Sequence, residues 1–164
     1  MIEYEVGVSR QVLAFTRTVV DRFWRYRQIR PWHKEAGGQL FAELESSRIV
    51  VVEATGPRRT DRRTRMTYVP DRAAERREIA DMRLKGLHYV GDWHTHPEKF
   101  PVPSWPDDTS MADCFARSTH NLNAFVLVVV GTAKAPDGLS VAIHNADTSL
   151  RLAQVAERAS KRSE

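Results

Sequence analysis

Two histidines, His94 and His96, stand one residue apart in the segment GDWHTHP (residues 91–97). Side chains alternate between the two faces of a β-strand, so an extended backbone points both imidazoles to the same side. Imidazole nitrogens, together with carboxylate oxygens, are common zinc ligands. The pair therefore predicts a metal site, although an isolated His-x-His motif also occurs in unrelated metal folds and as two surface histidines.

A second group of residues, SWPD (104–107), follows His96 after seven residues. Ser104 with an acid three residues later forms a capping box, and Pro106 suits a first helical turn, so the segment predicts the start of a helix. A helix that begins there also holds Asp107 at a fixed position, where its carboxylate is available as a third metal ligand. Three protein ligands leave the fourth position of a catalytic zinc for water.

An acid able to take a proton from such a water lies far upstream. Glu35 belongs to the segment KEAGGQLF (34–41), where a strand is expected to begin. A glutamate at a strand edge is usually a solvated charge. The two glycines beside it allow a close approach of another backbone, which indicates something other than a plain edge.

The order and spacing of these residues resemble the complete motif of the JAMM (MPN-plus, JAB) metalloproteases. The matching parts are Glu35 in a Glu-x-Gly-Gly-x-Leu context, His94-x-His96, seven residues, Ser104, two residues and Asp107. The order of the surrounding elements extends the likeness over residues 9–144. The strings WHTHPE and PVPS look most like the small bacterial JAB deubiquitinase-like isopeptidases that accompany ubiquitin-like conjugation in antiphage defence operons.

The resemblance implies a zinc-dependent isopeptidase or peptidase. In such an enzyme His94, His96 and Asp107 hold one zinc ion. Glu35 moves a proton from water to the leaving lysine amine, and Ser104 donates a hydrogen bond to the oxyanion. The bond cut follows the C-terminus of a ubiquitin-like modifier or a similarly conjugated protein, and both deconjugation and precursor processing remain open. The implied partners are a ubiquitin-like protein or a conjugated nucleotidyltransferase, with the activating and conjugating enzymes of the same operon.

Arginines are concentrated between residues 56 and 77, with eight arginines against three acids. Larger members of the family carry a substrate-contacting insertion here, so we predict that Arg62, Arg63 and Arg65 contact the modifier. Glu98, close after the two histidines, is a further candidate for substrate contact or for supporting a ligand. The alternatives are a solvated arginine-rich face and an arginine-rich binding module without catalysis. Nucleic acid is disfavoured as its partner, because no aromatic residues interleave with the arginines to stack on bases.

The chain has 164 residues, a net charge of +4 and one cysteine, Cys114. This length predicts a single domain over residues 1–164. It excludes an amidohydrolase barrel, which also uses His-x-His but needs about 250 residues. No apolar run reaches the ~18 residues of a membrane span, and the N-terminus lacks the basic-then-apolar order of a secretory signal. One cysteine permits no internal disulfide, so we expect a cytoplasmic protein with no membrane partner.

The apolar pattern predicts an α/β (α+β) fold: a single three-layer JAB/MPN-type domain whose mixed, mainly antiparallel sheet is flanked by helices. These helices argue against a cupin, which is nearly all strand and also uses His-x-His. Helices are expected at 9–30, 71–85, 104–118 and 147–160. Strands are expected at 38–43, 48–55, 88–94, 125–130 and 139–144, and the polar segment 56–70 is expected to be a loop.

Overall fold

The computed structural model describes residues 1–155. These residues form eleven strands, three α-helices and one short 3-10 turn in the following order. They are β1 (Ile2–Val6), a 3-10 turn (Gly7–Ser9), β2 (Gln11–Phe15), α1 (Arg17–Arg25), β3 (Gly37–Leu44), β4 (Arg48–Ala54), β5 (Arg62–Arg63), β6 (Tyr68–Val69), α2 (Arg72–Leu84), β7 (His88–Thr95), α3 (Trp105–Arg117), β8 (Phe125–Val130), β9 (Leu139–His144), β10 (Ser149–Arg151) and β11 (Ala153–Gln154).

Nine of these strands form one mixed sheet in the order β10-β9-β8-β7-β3-β4-β2-β1-β11. The pairs β2–β4 and β7–β8 are parallel and the other pairs are antiparallel. The two edge strands, β10 and β11, are separated in the chain by Leu152 alone. The sheet must therefore curl until its two edges meet.

Both faces of the interior strand β8 are buried, which explains its unbroken apolar sequence FVLVVV. Its odd-numbered side chains pack with Met111 of α3. Its even-numbered side chains pack in the larger cluster that contains Phe23 of α1 and Trp93 of β7. The rings of Phe23 and Trp93 lie 5.1 Å apart between centroids. The α+β fold with helices on a mainly antiparallel sheet is therefore as predicted.

Five strands and two helices were placed correctly from the sequence. The strands β3, β4, β7, β8 and β9 and the helices α2 and α3 each begin and end within one residue of the expected positions. Local signals explain this agreement, since Asp71 caps α2 and Ser104 caps α3 through side-chain oxygens. No helix among the described residues is long and apolar enough to cross a membrane.

The helix expected at residues 9–30 is wrong. Residues 11–15 form β2, between β1 and β4, and only Arg17–Arg25 is helical. Arg10 has a φ of 56°, a left-handed conformation that no α-helix can run through. The apolar residues of β2 are compatible with either element, and the sheet neighbours decided between them. The strand β1 was not expected.

Two further expectations need correction. The helix expected at 147–160 is wrong over the described part, because β10 and β11 occupy 149–154; residues 156–160 lie outside the described residues. The segment 56–70 contains a short hairpin, β5 and β6, rather than only a loop. We call residues 61–69 the arginine hairpin. Both errors concern short segments whose structure depends on partners elsewhere in the chain.

Candidate active site

The pairing of β3 with β7 brings Glu35 to the two histidines. In this antiparallel pair Gly37 stands opposite His94, so Glu35, two residues before Gly37, comes opposite His96. The pairing extends to the residue before β3, where the N–H of Thr95 donates to the carbonyl of Ala36 at 2.8 Å. The result is a distance of 3.7 Å from Glu35 Oε1 to His96 Nε2.

The first turn of α3 supplies the aspartate. Ser104 Oγ accepts the N–H of Asp107 at 3.3 Å, and the N–H of Ser104 donates to Asp107 Oδ2 at 2.6 Å, so both halves of the capping box are present. The same carboxylate faces the histidines. Its Oδ1 lies 3.2 Å from His94 Nε2, and its Oδ2 lies 3.4 Å from His96 Nε2. The capping and ligand interpretations of this segment therefore hold together.

The donor set fits a small divalent ion. The Nε2 atoms of His94 and His96 lie 3.2 Å apart, close to their distances from the Asp107 oxygens. In a tetrahedral zinc site with bonds of 2.0–2.1 Å, ligand atoms are separated by about 3.3–3.4 Å. Glu35 also offers an oxygen within 4.8 Å of both histidine nitrogens. Asp107 lies nearer than Glu35 to Nε2 of His96, at 3.4 Å against 3.7 Å, so Asp107 is the candidate third ligand and Glu35 the candidate neighbour of the ion.

The two carboxylates of the site experience opposite environments. Glu35 is 5% exposed, and its burial raises the pKa of the carboxyl although the charges of His94 and His96 oppose the shift. Burial also acts to raise the pKa of Asp107, but hydrogen bonds from His94 and His96 outweigh it and hold that pKa well below its usual range. The ionised form of Asp107 is thus favoured, as a metal ligand requires, whereas the neutral form of Glu35 is favoured more than in water.

Glu98 is close to one of the two candidate ligand histidines. Its Oε2 lies 3.5 Å from Nδ1 of His96, the ring nitrogen on the side opposite to Nε2. A carboxylate in this position favours the tautomer with the proton on Nδ1 and leaves Nε2 free to bind a metal. The structure therefore gives Glu98 a contact with His96, while its contact with substrate stays a prediction.

The three arginines predicted to bind substrate have different surroundings. Arg63 donates from Nε to the backbone carbonyl of Glu35 at 2.6 Å. Arg65 donates from Nη1 to the carbonyls of Arg30 and Pro31 at 3.0 and 2.9 Å. Both guanidinium groups are thus engaged within the chain. Arg62 is exposed, so its side chain is accessible to a substrate, and its contact with substrate stays a prediction.

A cleft of about 650 Å³ opens beside these residues. The arginine hairpin and the residue after it form one wall, and α3 forms the other. Among its lining residues, those not singled out in the sequence include Met66, Thr67, Tyr68, Val69, Ser110, Met111 and Leu127. Sequence reasoning missed them because ordinary apolar and small polar residues carry no chemical signature, and the loop assignment hid the hairpin.

A buried hydrogen-bond chain fixes the backbone between the histidines. Thr95 is fully buried; its hydroxyl donates to Gln28 Oε1 at 3.0 Å and accepts the N–H of Ala36 at 2.9 Å. The amide nitrogen of Gln28 donates in turn to the carbonyl of Arg65 at 2.7 Å. The histidine strand, the segment before β3 and the arginine hairpin are thereby joined. Nothing in the sequence marked Gln28 for this role.

Asp92 and Cys114 are near the site but belong to another cluster. A bulge at Val90–Gly91 makes β7 irregular, and Asp92 accepts a hydrogen bond from the hydroxyl of Tyr89 at 2.9 Å. Burial is the main cause that raises the pKa of Asp92 to about 7. The sulfur of Cys114 lies 3.7 Å from the same hydroxyl, and burial raises the pKa of its thiol. A protonated, partly buried thiol has a structural role rather than a nucleophilic one.

A family model described as prokaryotic homologs of the JAB domain matches residues 16–144, which include every candidate residue of the site. The chain belongs to this family, as its motifs predicted. A solution structure of protein DSY2949 from Desulfitobacterium hafniense has the same fold. It superposes with a TM-score of 0.62 at 18% identity and covers 85% of this chain and 88% of that one.

Curated relatives are named as isopeptidases or as a metalloprotease. A Vibrio cholerae protein named CD-NTase/cGAS isopeptidase is 34% identical over 118 residues, or 69% of this chain and 72% of that protein. An Escherichia coli protein of the same name is 33% identical over 92 residues, or 54% of this chain but only 59% of that protein. A Sinorhizobium fredii protein named "Probable metalloprotease y4qB" is 35% identical over 82 residues, or 46% of this chain and 50% of that protein.

Proposed function

We propose that this chain is a zinc-dependent isopeptidase or peptidase that hydrolyses the bond after the C-terminus of a ubiquitin-like modifier or a similarly conjugated protein. One observation carries the proposal: atoms of His94, His96 and Asp107 lie 3.2–3.4 Å apart with the buried carboxylate of Glu35 beside them. Membership of the JAB family supports a bound metal. Relatives named isopeptidase and metalloprotease support a JAB-type isopeptidase.

Glu35 is the residue that we assign to proton transfer. His94, His96 and Asp107 would hold a zinc ion, which would supply a more acidic water and an electrophile for the scissile carbonyl. Glu35 accepts a proton at its carboxylate and passes it to the leaving nitrogen, so that one water is consumed and a carboxyl group and a free amine are formed. The burial that raises the pKa of Glu35 suits a group that holds this proton between the two steps.

We assign to Ser104 the stabilisation of the carbonyl oxygen as negative charge develops on it. Its oxygen accepts the N–H of Asp107, which leaves the hydroxyl hydrogen available as a donor. Ser104 also lines the cleft, on the same turn as the ligand Asp107. A single donor of this kind is worth roughly 3 kcal/mol of transition-state stabilisation.

The names of the relatives favour one substrate over the others. Four of them are CD-NTase/cGAS isopeptidases, so a conjugated nucleotidyltransferase is our preferred substrate. A ubiquitin-like modifier is the second choice. In either case the activating and conjugating enzymes that make the conjugate are the functional partners.

The decisive experiment is a cleavage assay with four substrates: a nucleotidyltransferase and a ubiquitin-like protein, each isopeptide-linked and as a linear fusion. The purified protein, loaded with zinc, is compared with Glu35→Gln, with and without a chelator. We expect cleavage of an isopeptide-linked substrate that a chelator abolishes and added zinc restores. Glu35→Gln should lower kcat by roughly 10²–10⁴-fold, the usual range for loss of a general acid–base group.

The matched control is Glu43→Gln, an exposed glutamate on the same strand as the Gly-Gly pair, which should cleave like the wild type. Cleavage that survives the chelator would overturn the metal requirement. Cleavage that survives Glu35→Gln would overturn the proton-transfer role. Failure of the zinc-loaded protein on all four substrates would count against the isopeptidase itself.

A further inference from the structure

The main chain of Glu35 is held by the arginine hairpin. The N–H of Glu35 donates to the carbonyl of Thr64 at 2.7 Å, and the carbonyl of Glu35 accepts Nε–H of Arg63 at 2.6 Å. A second nitrogen of Arg63 lies 3.5 Å from the carbonyl of Lys34. Both backbone polar groups of the residue that we assign to proton transfer are therefore bound by one two-stranded element.

These hydrogen bonds give the backbone of Glu35 the partners that a neighbouring strand would otherwise provide. Strand β3 begins at Gly37, so Glu35 lies before the regular ladder that pairs β3 with β7. The hairpin is itself closed by hydrogen bonds between Thr64 and Thr67, through backbone atoms at 2.9 Å and through their hydroxyls at 2.7 Å. Because the hairpin is closed, the backbone of Arg63 is held in a fixed position, and its side chain can contact Glu35.

The hydrogen bond from Arg63 to the carbonyl of Glu35 is charge-assisted. A hydrogen bond from a charged guanidinium to a carbonyl is shorter and stronger than one between neutral groups. A few tenths of an ångström matter at a catalytic group, because proton transfer requires hydrogen-bond distance to the reacting atoms. The carboxylate of Glu35 is attached to the backbone that Arg63 holds, and it stands 3.7 Å from His96 Nε2.

We propose that Arg63 is a positioning residue that fixes the backbone of Glu35, and through it the carboxylate, rather than a residue that binds substrate. The proposal rests on the proposed function, in which Glu35 transfers the proton. Arg63 acts through the main chain of Glu35, so its removal leaves the metal ligands in place. Its neighbour Arg62, on the same short strand, is exposed and remains available to substrate.

The test compares Arg63→Met and Arg63→Lys with Arg59→Met, an exposed arginine of the same region. We expect Arg63→Met to lower kcat roughly ten-fold with little change in KM, as for other groups that orient a catalytic residue. Arg63→Lys, which keeps one charged donor, should recover part of kcat. Zinc content should equal that of the wild type in all three, and Arg59→Met should leave kcat and KM unchanged.

A second readout does not depend on activity. Hydrogen exchange at the amide of Glu35, followed by NMR, reports whether its bond to Thr64 still holds. We expect faster exchange in Arg63→Met than in wild type or Arg59→Met. If Arg63→Met does not fold, both measurements are made on Arg63→Lys. We then expect a smaller fall in kcat and a smaller rise in the exchange rate.

Three results would overturn the proposal: an unchanged kcat, a rise in KM alone, which would make Arg63 a substrate contact, or unchanged exchange at the amide of Glu35. These failures differ from failure of the proposed function, in which the zinc-loaded wild type cleaves nothing or Glu35→Gln cleaves normally. In that case the exchange experiment still decides whether Arg63 holds Glu35.

Discussion

Asp107 and Glu35 are carboxylates of a single site that lie in opposite environments. Asp107 accepts a backbone N–H and faces two imidazoles, so its charged form is stabilised. Glu35 is buried without a comparable set of donors to its carboxylate, so its neutral form is favoured more than in water. Separating the pKa values of two neighbouring carboxyl groups in this way is how a site obtains a ligand and a proton carrier from the same chemistry.

Replacement of Asp107 tests the ligand assignment. In Asp107→Asn the amide still accepts the capping hydrogen bond but carries no charge for the metal. We expect zinc affinity, measured by competition with a chelator, to fall by more than the roughly 10–100-fold that loss of an outer hydrogen-bond partner costs. The control is Asp108→Asn, the adjacent carboxylate, which points to His144 at 3.6 Å and should bind zinc as the wild type does. Equal affinities for the two variants would contradict the assignment.

At the scale of elements, the first turn of α3 combines structure with chemistry. Ser104 ends the preceding loop and caps the helix, while the same turn presents Asp107 to the histidines. The helix thus stabilises its own start with the residues that the site uses. One turn therefore fixes both the carboxylate that we assign to the metal and the hydroxyl that we assign to the carbonyl oxygen.

Substitutions at Ser104 separate these two roles. Ser104→Ala removes the cap and the hydroxyl and should lower the free energy of unfolding by about 1 kcal/mol, whereas Ser104→Gly should lower it by only a few tenths. Both variants lack the hydroxyl, so both should lose about 10²–10³-fold in kcat. Thermal or denaturant unfolding and steady-state kinetics measure the two effects. A Ser104→Gly variant with normal kcat would show that the hydroxyl has no role in the reaction.

At the scale of the whole molecule, the curled sheet is closed by the segment that follows β9. Leu152 is buried between the two edges, and its N–H donates to the carbonyl of Val141 in β9 at 2.9 Å. Val155 donates to the carbonyl of Glu3 in β1, on the other edge. This closure covers edges that would otherwise offer unpaired backbone groups.

Truncation of Leu152 tests the closure. Leu152→Ala leaves a cavity where the edges meet and should lower the free energy of unfolding by about 2–5 kcal/mol, as for other buried leucines. Leu150→Ala, at a position that is 49% exposed in the same segment, is the matched control and should have a much smaller effect. Equilibrium denaturation measures both. A similar loss at the two positions would mean that Leu152 has no special place in the closure.

Several arginines between residues 56 and 77 make contacts with other parts of the domain. Arg58 forms a salt bridge to Glu78 of α2, Arg63 binds the carbonyl of Glu35, and Arg65 binds the carbonyls of Arg30 and Pro31. These three arginines are therefore engaged inside the domain. This use of the guanidinium groups weakens the alternative of a nucleic-acid-binding module, since arginines engaged internally are less available to phosphates.

The sequence by itself determined the features that depend on neighbours in the chain: the two histidines on one side of a strand, the capped start of α3 with Asp107 inside it, and the apolar run of β8. It also carried the motif from which Glu35 was assigned by resemblance. The helices predicted from its periodicity were wrong at residues 11–15 and 149–154, because short apolar or mixed segments become strands only when sheet neighbours are present.

The tertiary structure alone decided how distant residues meet. The pairing of β3 with β7 set Glu35 opposite His96, the closure of the sheet made strands of its last segments, and the hairpin turned Arg63 toward the backbone of Glu35. The physical reason is that a side chain's type and local spacing limit what it can do, whereas its partner is selected by contacts between segments far apart in the chain.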